Sequence, residues 1–332
     1  KLNYIHRRSG ETDYYFVANS EERPVEAKAV FRVSGRQPEL WYPDTGRIEP
    51  CSVYNERDDG QIEVPLRFDP AGSVFVVFRQ KRAGDHIIDV KTVRTTTTQP
   101  LSFKIASATS GYDFITTEPG SFTLTAASGK KTSISFESVP APVVLAGPWD
   151  VSFAPGWGAP EHTVFDKLIS WPEHSDLGIK YFSGTAVYKK TFSIPADYIS
   201  KDRKLFLDLG DVQVIADVTL NGKNLGIFWK PPFRADISGI MKSGENTLEV
   251  KVVNLWPNRL IGDEQFPDDC KFEPAGNIKQ WPTWLTNGLP RPEPRRLTFT
   301  TWKHWKKDDK LLPSGLIGPV TIQATEVKKI EL

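Results

Sequence analysis

Apolar and polar residues alternate along much of this chain with the two-residue period of a half-buried strand. Phe122-Thr123-Leu124-Thr125 and Ser133-Ile134-Ser135-Phe136 alternate strictly, and Ser128-Gly129-Lys130 between them supplies a hairpin turn. The stretch 246–253 alternates in the same way after a Ser243-Gly244-Glu245 turn. Asn221-Gly222 is a strong hairpin signal, because both residues tolerate the positive φ that a type I′ turn requires; it joins 212–220 to 225–228. Aromatic and β-branched runs predict further strands at 14–19, 27–33, 62–66, 74–78, 149–153, 184–188 and 204–209. Tyr42-Pro43-Asp44-Thr45-Gly46 reads as a turn: Pro presets φ, Asp bonds its own backbone, and Gly accepts positive φ. Only 197–203 and 237–241 suggest even one helical turn.

Strands at short spacing with almost no helix predict an all-β chain of tandem antiparallel β-sandwiches ending in a jelly roll. With 332 residues, two or three domains are expected. The pattern divides them into a sandwich at 1–82, a small β module at 83–142 and a jelly roll at 143–332. Within the second, Thr95-Thr96-Thr97-Thr98-Gln99-Pro100 reads as a linker or an exposed edge, and Val139-Pro140-Ala141-Pro142 leads out of it.

Composition narrows the function. At 39% hydrophobic and 25% charged the chain is not disordered. Lys and Arg number 42 against 41 Asp and Glu, and residues 1–142 hold 18 of each sign, so neither part has the basic excess that binding nucleic acid needs. No run approaches the roughly 18 apolar residues of a membrane span. Ten Trp stand beside one Met, and nine of those Trp follow residue 142. Trp serves cores and sugar-binding surfaces alike. Two cysteines, Cys51 and Cys270, leave a disulfide open and decide nothing about compartment. The chain opens on Lys1 with neither Met nor a signal-peptide pattern, which reads as a processed product or a fragment.

Several phrases are recognisable together. Gly147-Pro148-Trp149, Tyr181-Phe182-Ser183-Gly184-Thr185-Ala186-Val187-Tyr188, Leu207-Asp208-Leu209-Gly210-Asp211-Val212, Ala216-Asp217-Val218-Thr219-Leu220-Asn221-Gly222-Lys223 and Gly244-Glu245-Asn246-Thr247-Leu248 resemble the sugar-binding, galactose-binding-like jelly roll of glycoside hydrolase family 2. Asn258-Arg259-Leu260-Ile261-Gly262-Asp263-Glu264 and Leu312-Pro313-Ser314-Gly315-Leu316-Ile317-Gly318-Pro319-Val320 continue the pattern. With Ile5-His6-Arg7-Arg8 and Phe31-Arg32-Val33-Ser34-Gly35-Arg36-Gln37-Pro38-Glu39-Leu40-Trp41, they resemble the C-terminal part of family 106 α-L-rhamnosidases. The resemblance implies an inverting hydrolase whose two catalytic carboxylates sit on a (β/α)₈ barrel N-terminal to this region. No such barrel can be drawn in these residues. It therefore implies a chain that is non-catalytic alone, that partners its own barrel and a plant or pectic glycan with rhamnose, and that is exported to a bacterial periplasm or cell surface; the alternatives are a stand-alone carbohydrate-binding module and a structural or adhesive β-domain protein.

Candidate side chains are weighed on chemistry. Trp157, Trp171 and Trp229 sit in Pro/Gly-rich connections, where an indole can stack on a sugar face or pin a loop onto the sandwich. His162, Glu173 and His174 could bind hydroxyls beside them. An inverting glycosidase needs an acid and a base about 6.5–9.5 Å apart. Asp58-Asp59 reads as a solvated turn and Asp268-Asp269 is a further acidic pair. For Asp263-Glu264 the favoured reading is a structural ion pair with Arg259, with sugar contact and a catalytic role as the alternatives. Trp281, Trp284, Trp302 and Trp305 are read as structural, and 302–305 as a half-exposed strand. His6 and Arg7 read as a strand end with an exposed basic turn or, if the family resemblance holds, as residues that follow the barrel directly and face it. Five scattered His and two Cys make no transition-metal site; calcium, bound by backbone and carboxylate oxygens, would leave no mark in sequence.

Overall fold

The computed structural model describes residues 1–82, 84–95, 103–293 and 296–332, the side chains of Arg94 and Thr95 aside. It is an all-β fold, about 49% strand and 7% helix. Of the expected Thr95–Pro100 linker, Thr95 ends the strand Ile87–Thr95 and the remainder lies outside the described residues. The chain forms two compact units: 1–142 with 197–206 and 323–332, and 143–196 with 207–322.

The first unit opens with a sandwich. One sheet runs Leu2–Ser9, Thr12–Asn19, Ser73–Lys81, Arg36–Trp41, Ile48–Pro50, and the other runs Val25–Phe31, Ile62–Phe68, Asn55–Glu56, all antiparallel. Alternation places Tyr15, Val17, Val74, Val76 and Phe78 of one sheet against Phe31, Val64, Leu66 and Phe68 of the other. A second core gathers Ile87, Phe114, Phe122, Leu124, Phe136 and Ile330. Its strand Gly120–Ala126 pairs with Lys131–Phe136 across the expected hairpin, where Gly129 takes φ +88°. The segment 323–332 returns here: Ile330 pairs with Tyr112 and Glu326 with Thr116. Cys51 is buried in this unit and Cys270 half-buried in the other; both are free thiols.

The second unit is built on a six-stranded antiparallel sheet, in the order His162–Phe165, Trp149–Phe153, Thr185–Ile194, Gly244–Val253, Ile215–Leu220, Lys223–Phe228. Trp149, Val151, Tyr188, Val218, Leu220, Leu248 and Val250 are its buried positions. Asn221 and Gly222 form the expected turn, at φ +52° and +79°. Two expectations fail here. The phrase 258–264 carries a helix, Pro257–Asp263, because Pro occupies its first turn and needs no N–H there. Trp302–Trp305 forms no strand: Trp302 makes an isolated bridge to Asn277, and the alternating rings pack on one another through His304.

Candidate functional site

The helix Pro257–Asp263 is tied into the second unit by its polar side chains. Asn258 donates to the Leu312 carbonyl at 2.7 Å and to Ser314 Oγ at 2.9 Å, and the Arg259 amide donates to Ser183 Oγ at 3.1 Å. Arg259 and Asp263, one turn apart, form an ion pair at 3.0 Å with side chains 5% and 2% exposed. Asp263 Oδ2 also accepts from the Thr298 amide and hydroxyl, both at 2.6 Å. Burial lowers the pKa of Arg259, against the opposing pull of Asp263.

Just beyond the helix the charges continue in alternating sign. Arg296 donates to Glu264 at 2.5 Å and to Asp268 at 2.6 Å. Lys303 lies 3.1 Å from Glu264 and donates to Asp268 at 2.7 Å. Arg291 donates to Asp269. Burial would pull the Lys303 pKa down, but its bonds to Asp268 and Glu264 outweigh that and raise it. Likewise burial would raise the Asp269 pKa, and the Arg291 bond lowers it instead. Four carboxylates thus meet four cations. A cavity of about 270 Å³ opens beside them, walled by Leu260, Phe272, Phe299, Trp302 and Trp305. That is near the lower end of small-ligand sites.

Chemically this is a network of paired charges, in which Arg259 Nε and Asp263 Oδ1 make no hydrogen bond. Glycoside hydrolysis by inversion needs one carboxyl holding a proton and another positioned to activate water. Here each of the four carboxylates is paired with a cation. Among the described residues no group of three or more His, Cys, Asp or Glu converges to hold a metal ion.

The candidates fall into separate places. Arg259, Asp263 and Glu264 come together as described. Trp157 packs edge-on against Trp256, centroids 5.4 Å apart, at the start of the same helix, and Trp256 is 53% exposed. His162 belongs to the outward face of the six-stranded sheet, and Trp229 directly follows its edge strand Lys223–Phe228. There the register lines up His162, Ser152, Val187, Lys251, Asp217 and Ile227 across all six strands. His162 Nδ1 lies 2.9 Å from Ser152 Oγ, and Trp229, just past Ile227, is 58% exposed. Trp171 is a correction. Its ring is fully buried, its N–H donates to the Tyr188 hydroxyl at 2.6 Å, and no face is left for a sugar. His174 is turned to local structure, accepting from the Asp176 amide at 3.0 Å and stacking on Phe165.

In the first unit, His6 stacks on Tyr15 at 4.1 Å and lies 2.8 Å from Asp13 Oδ1, while Arg7 is exposed on the opposite face of the strand. Sequence reasoning missed Arg291, Arg296 and Lys303. Nothing local marks them, since their partners lie 22 to 39 positions away.

Comparisons with known proteins agree with this architecture. Residues 1–56 match the family model described as alpha-L-rhamnosidase of glycoside hydrolase family 106. Residues 173–280 match the glycosyl hydrolase 2 galactose-binding domain-like family. A solved rhamnosidase from Novosphingobium sp. PP1Y is 32% identical, with a TM-score of 0.68 over 98% of this chain and 24% of its own. Two proteins of Formosa agariphila are also similar. One, provisionally named a beta-glucuronidase, is 50% identical over 218 residues, 65% of this chain and 18% of that protein. The other, named Beta-glucuronidase, is 38% identical over 84 residues, 24% of this chain and 8% of that protein. The chain spans less than a fifth of these two and about a quarter of the rhamnosidase. It is a glycoside hydrolase-related β-domain segment, and no helix among its described residues is long and apolar enough to cross a membrane.

Proposed function

We propose that this chain is the non-catalytic C-terminal β portion of an α-L-rhamnosidase-like glycoside hydrolase, supporting a catalytic barrel carried elsewhere in the polypeptide and contacting glycan through its galactose-binding-like unit. The observation that carries the reading is the alignment of 98% of this chain with only 24% of a rhamnosidase. The ion pairs around Pro257–Asp263 support it, because each of Asp263, Glu264 and Asp268 there is held against a cation. The substrate class is a rhamnose-containing plant or pectic glycan, met in a bacterial periplasm or at the cell surface. Incubation with an aryl α-L-rhamnoside, and with an aryl β-glucuronide in parallel, tests it. The expected result is no turnover by this chain alone; turnover lost on substituting a carboxylate of this chain contradicts the reading.

A second reading, a stand-alone carbohydrate-binding module, is favoured by the exposure of Trp229 and Trp256. It predicts saturable glycan binding that weakens in Trp157→Ala and Trp229→Ala. The upstream coding sequence separates the two: a barrel selects the first, its absence the second.

A further inference from the structure

The two sheets of the N-terminal sandwich differ on the sides turned away from their shared core. On the three-stranded sheet the outward positions are mostly polar and paired in charge: Glu26 faces Arg67 at 3.6 Å, and Lys28 lies 3.7 Å from Glu63. An antiparallel sheet with one face in water reads this way. The five-stranded sheet does not. Its outward register sets Ile5 opposite Phe16, Phe16 opposite Phe75, Phe75 opposite Trp41, and Trp41 opposite Ile48. One apolar row therefore crosses all five strands, a span of roughly 19 Å at the usual strand spacing. Both ends are open, with Ile5 55% and Ile48 53% exposed. The next row places Tyr14 beside Val77, and Tyr14 meets the Trp41 ring edge-on at 6.1 Å.

We infer that this face is a protein-docking surface whose occupant is the catalytic barrel, an assignment that rests on the function proposed above. Three observations select that occupant. The rings are tipped, Phe16 against Phe75 by 51° and Tyr14 against Trp41 by 79°, so they offer no flat platform for a sugar. Glu39, the buried acid of this face, is consumed by Trp41 Nε1 at 2.8 Å and Arg79 Nε at 3.0 Å, which leaves the patch apolar with a neutral, satisfied centre. Trp, Tyr and Arg so arranged are the residues that dominate protein interfaces. Finally, Ile5, Phe16, Trp41 and Ile48 all lie in the 1–56 stretch that matches the rhamnosidase family model, and in the similar solved rhamnosidase three quarters of the chain lies outside the aligned part.

Hydroxyl-radical footprinting of this chain and of its parent polypeptide tests the assignment. Oxidation of Phe16, Trp41 and Phe75 falls severalfold in the parent, whereas Val30, outward on the opposite sheet, is unchanged. Ile48→Glu, at the exposed rim, leaves the melting of this chain unaltered and lowers that of the parent. A parent with a barrel but with these rings still oxidised at the free rate overturns the docking face alone. A parent without a barrel overturns the proposed function with it. Dimerisation of this chain that Ile48→Glu abolishes, or protection of the same rings by pectic glycan, assigns the face to another occupant and overturns the inference.

Discussion

Replacing Asp263 with Ala removes the partner of Arg259 while leaving that guanidinium 5% exposed. It also strips the acceptor from the Thr298 amide and hydroxyl. Breaking a buried ion pair on one side costs about 3–5 kcal/mol, because the remaining charge stays desolvated without compensation. For a unit of about 170 residues each kcal/mol moves the midpoint by about 2–4 °C, so the second unit should melt roughly 6–20 °C lower. Tryptophan fluorescence reports that unit almost alone, since nine of the ten Trp lie within it and only Trp41 lies in the other. The double variant Arg259→Met with Asp263→Leu removes both charges and leaves only the Thr298 donors unpaired, at about 1–3 kcal/mol. It should recover at least half of the loss. A single variant costing under about 1 kcal/mol, or a double no better than the single, would refute the claim that this pair is a desolvated structural element.

Three further outcomes follow from the same geometry. Gly315→Ala should destabilise the second unit by more than about 2 kcal/mol, since Gly315 has φ +97° and a Cβ there would meet Trp171 Nε1 at 2.4 Å; an unchanged midpoint by Trp fluorescence contradicts the packing. Burial, followed by the nearby Arg82, holds the His86 pKa below its usual 6.5. With the folded value below the unfolded one, stability is full above about pH 6.5 and is lost as pH falls through the folded value; calorimetry should show this loss for the first unit, and His86→Phe should flatten it. Burial also pushes the Cys51 thiol up to about 12 and the Cys270 thiol up to about 11, so neither should react with iodoacetamide at about pH 8 until the chain unfolds, as counted by mass spectrometry.

The strands were legible because alternation and turn chemistry are local. Asn221-Gly222 and Ser128-Gly129-Lys130 are hairpins for reasons contained in two or three residues. The helix Pro257–Asp263 had its signals too, Pro257 in the first turn and Arg259 four residues before Asp263, but seven residues are too few for periodicity to stand out. Trp171 illustrates the opposite case. Its Pro/Gly-rich surroundings suggested a surface indole, yet the hydroxyl that satisfies it comes from Tyr188 on another strand, a tertiary fact. The ionic cluster was half visible: the Arg259–Asp263 pair and Glu264 lie in one phrase, and the cations of Glu264, Arg296 and Lys303, lie about 30–40 positions downstream.

The most direct measurement is the rate of aryl α-L-rhamnoside hydrolysis by this chain and by its parent polypeptide at equal concentration. The account predicts turnover by the parent and none by this chain. Turnover by this chain alone that Glu264→Gln or Asp268→Asn abolishes would contradict it.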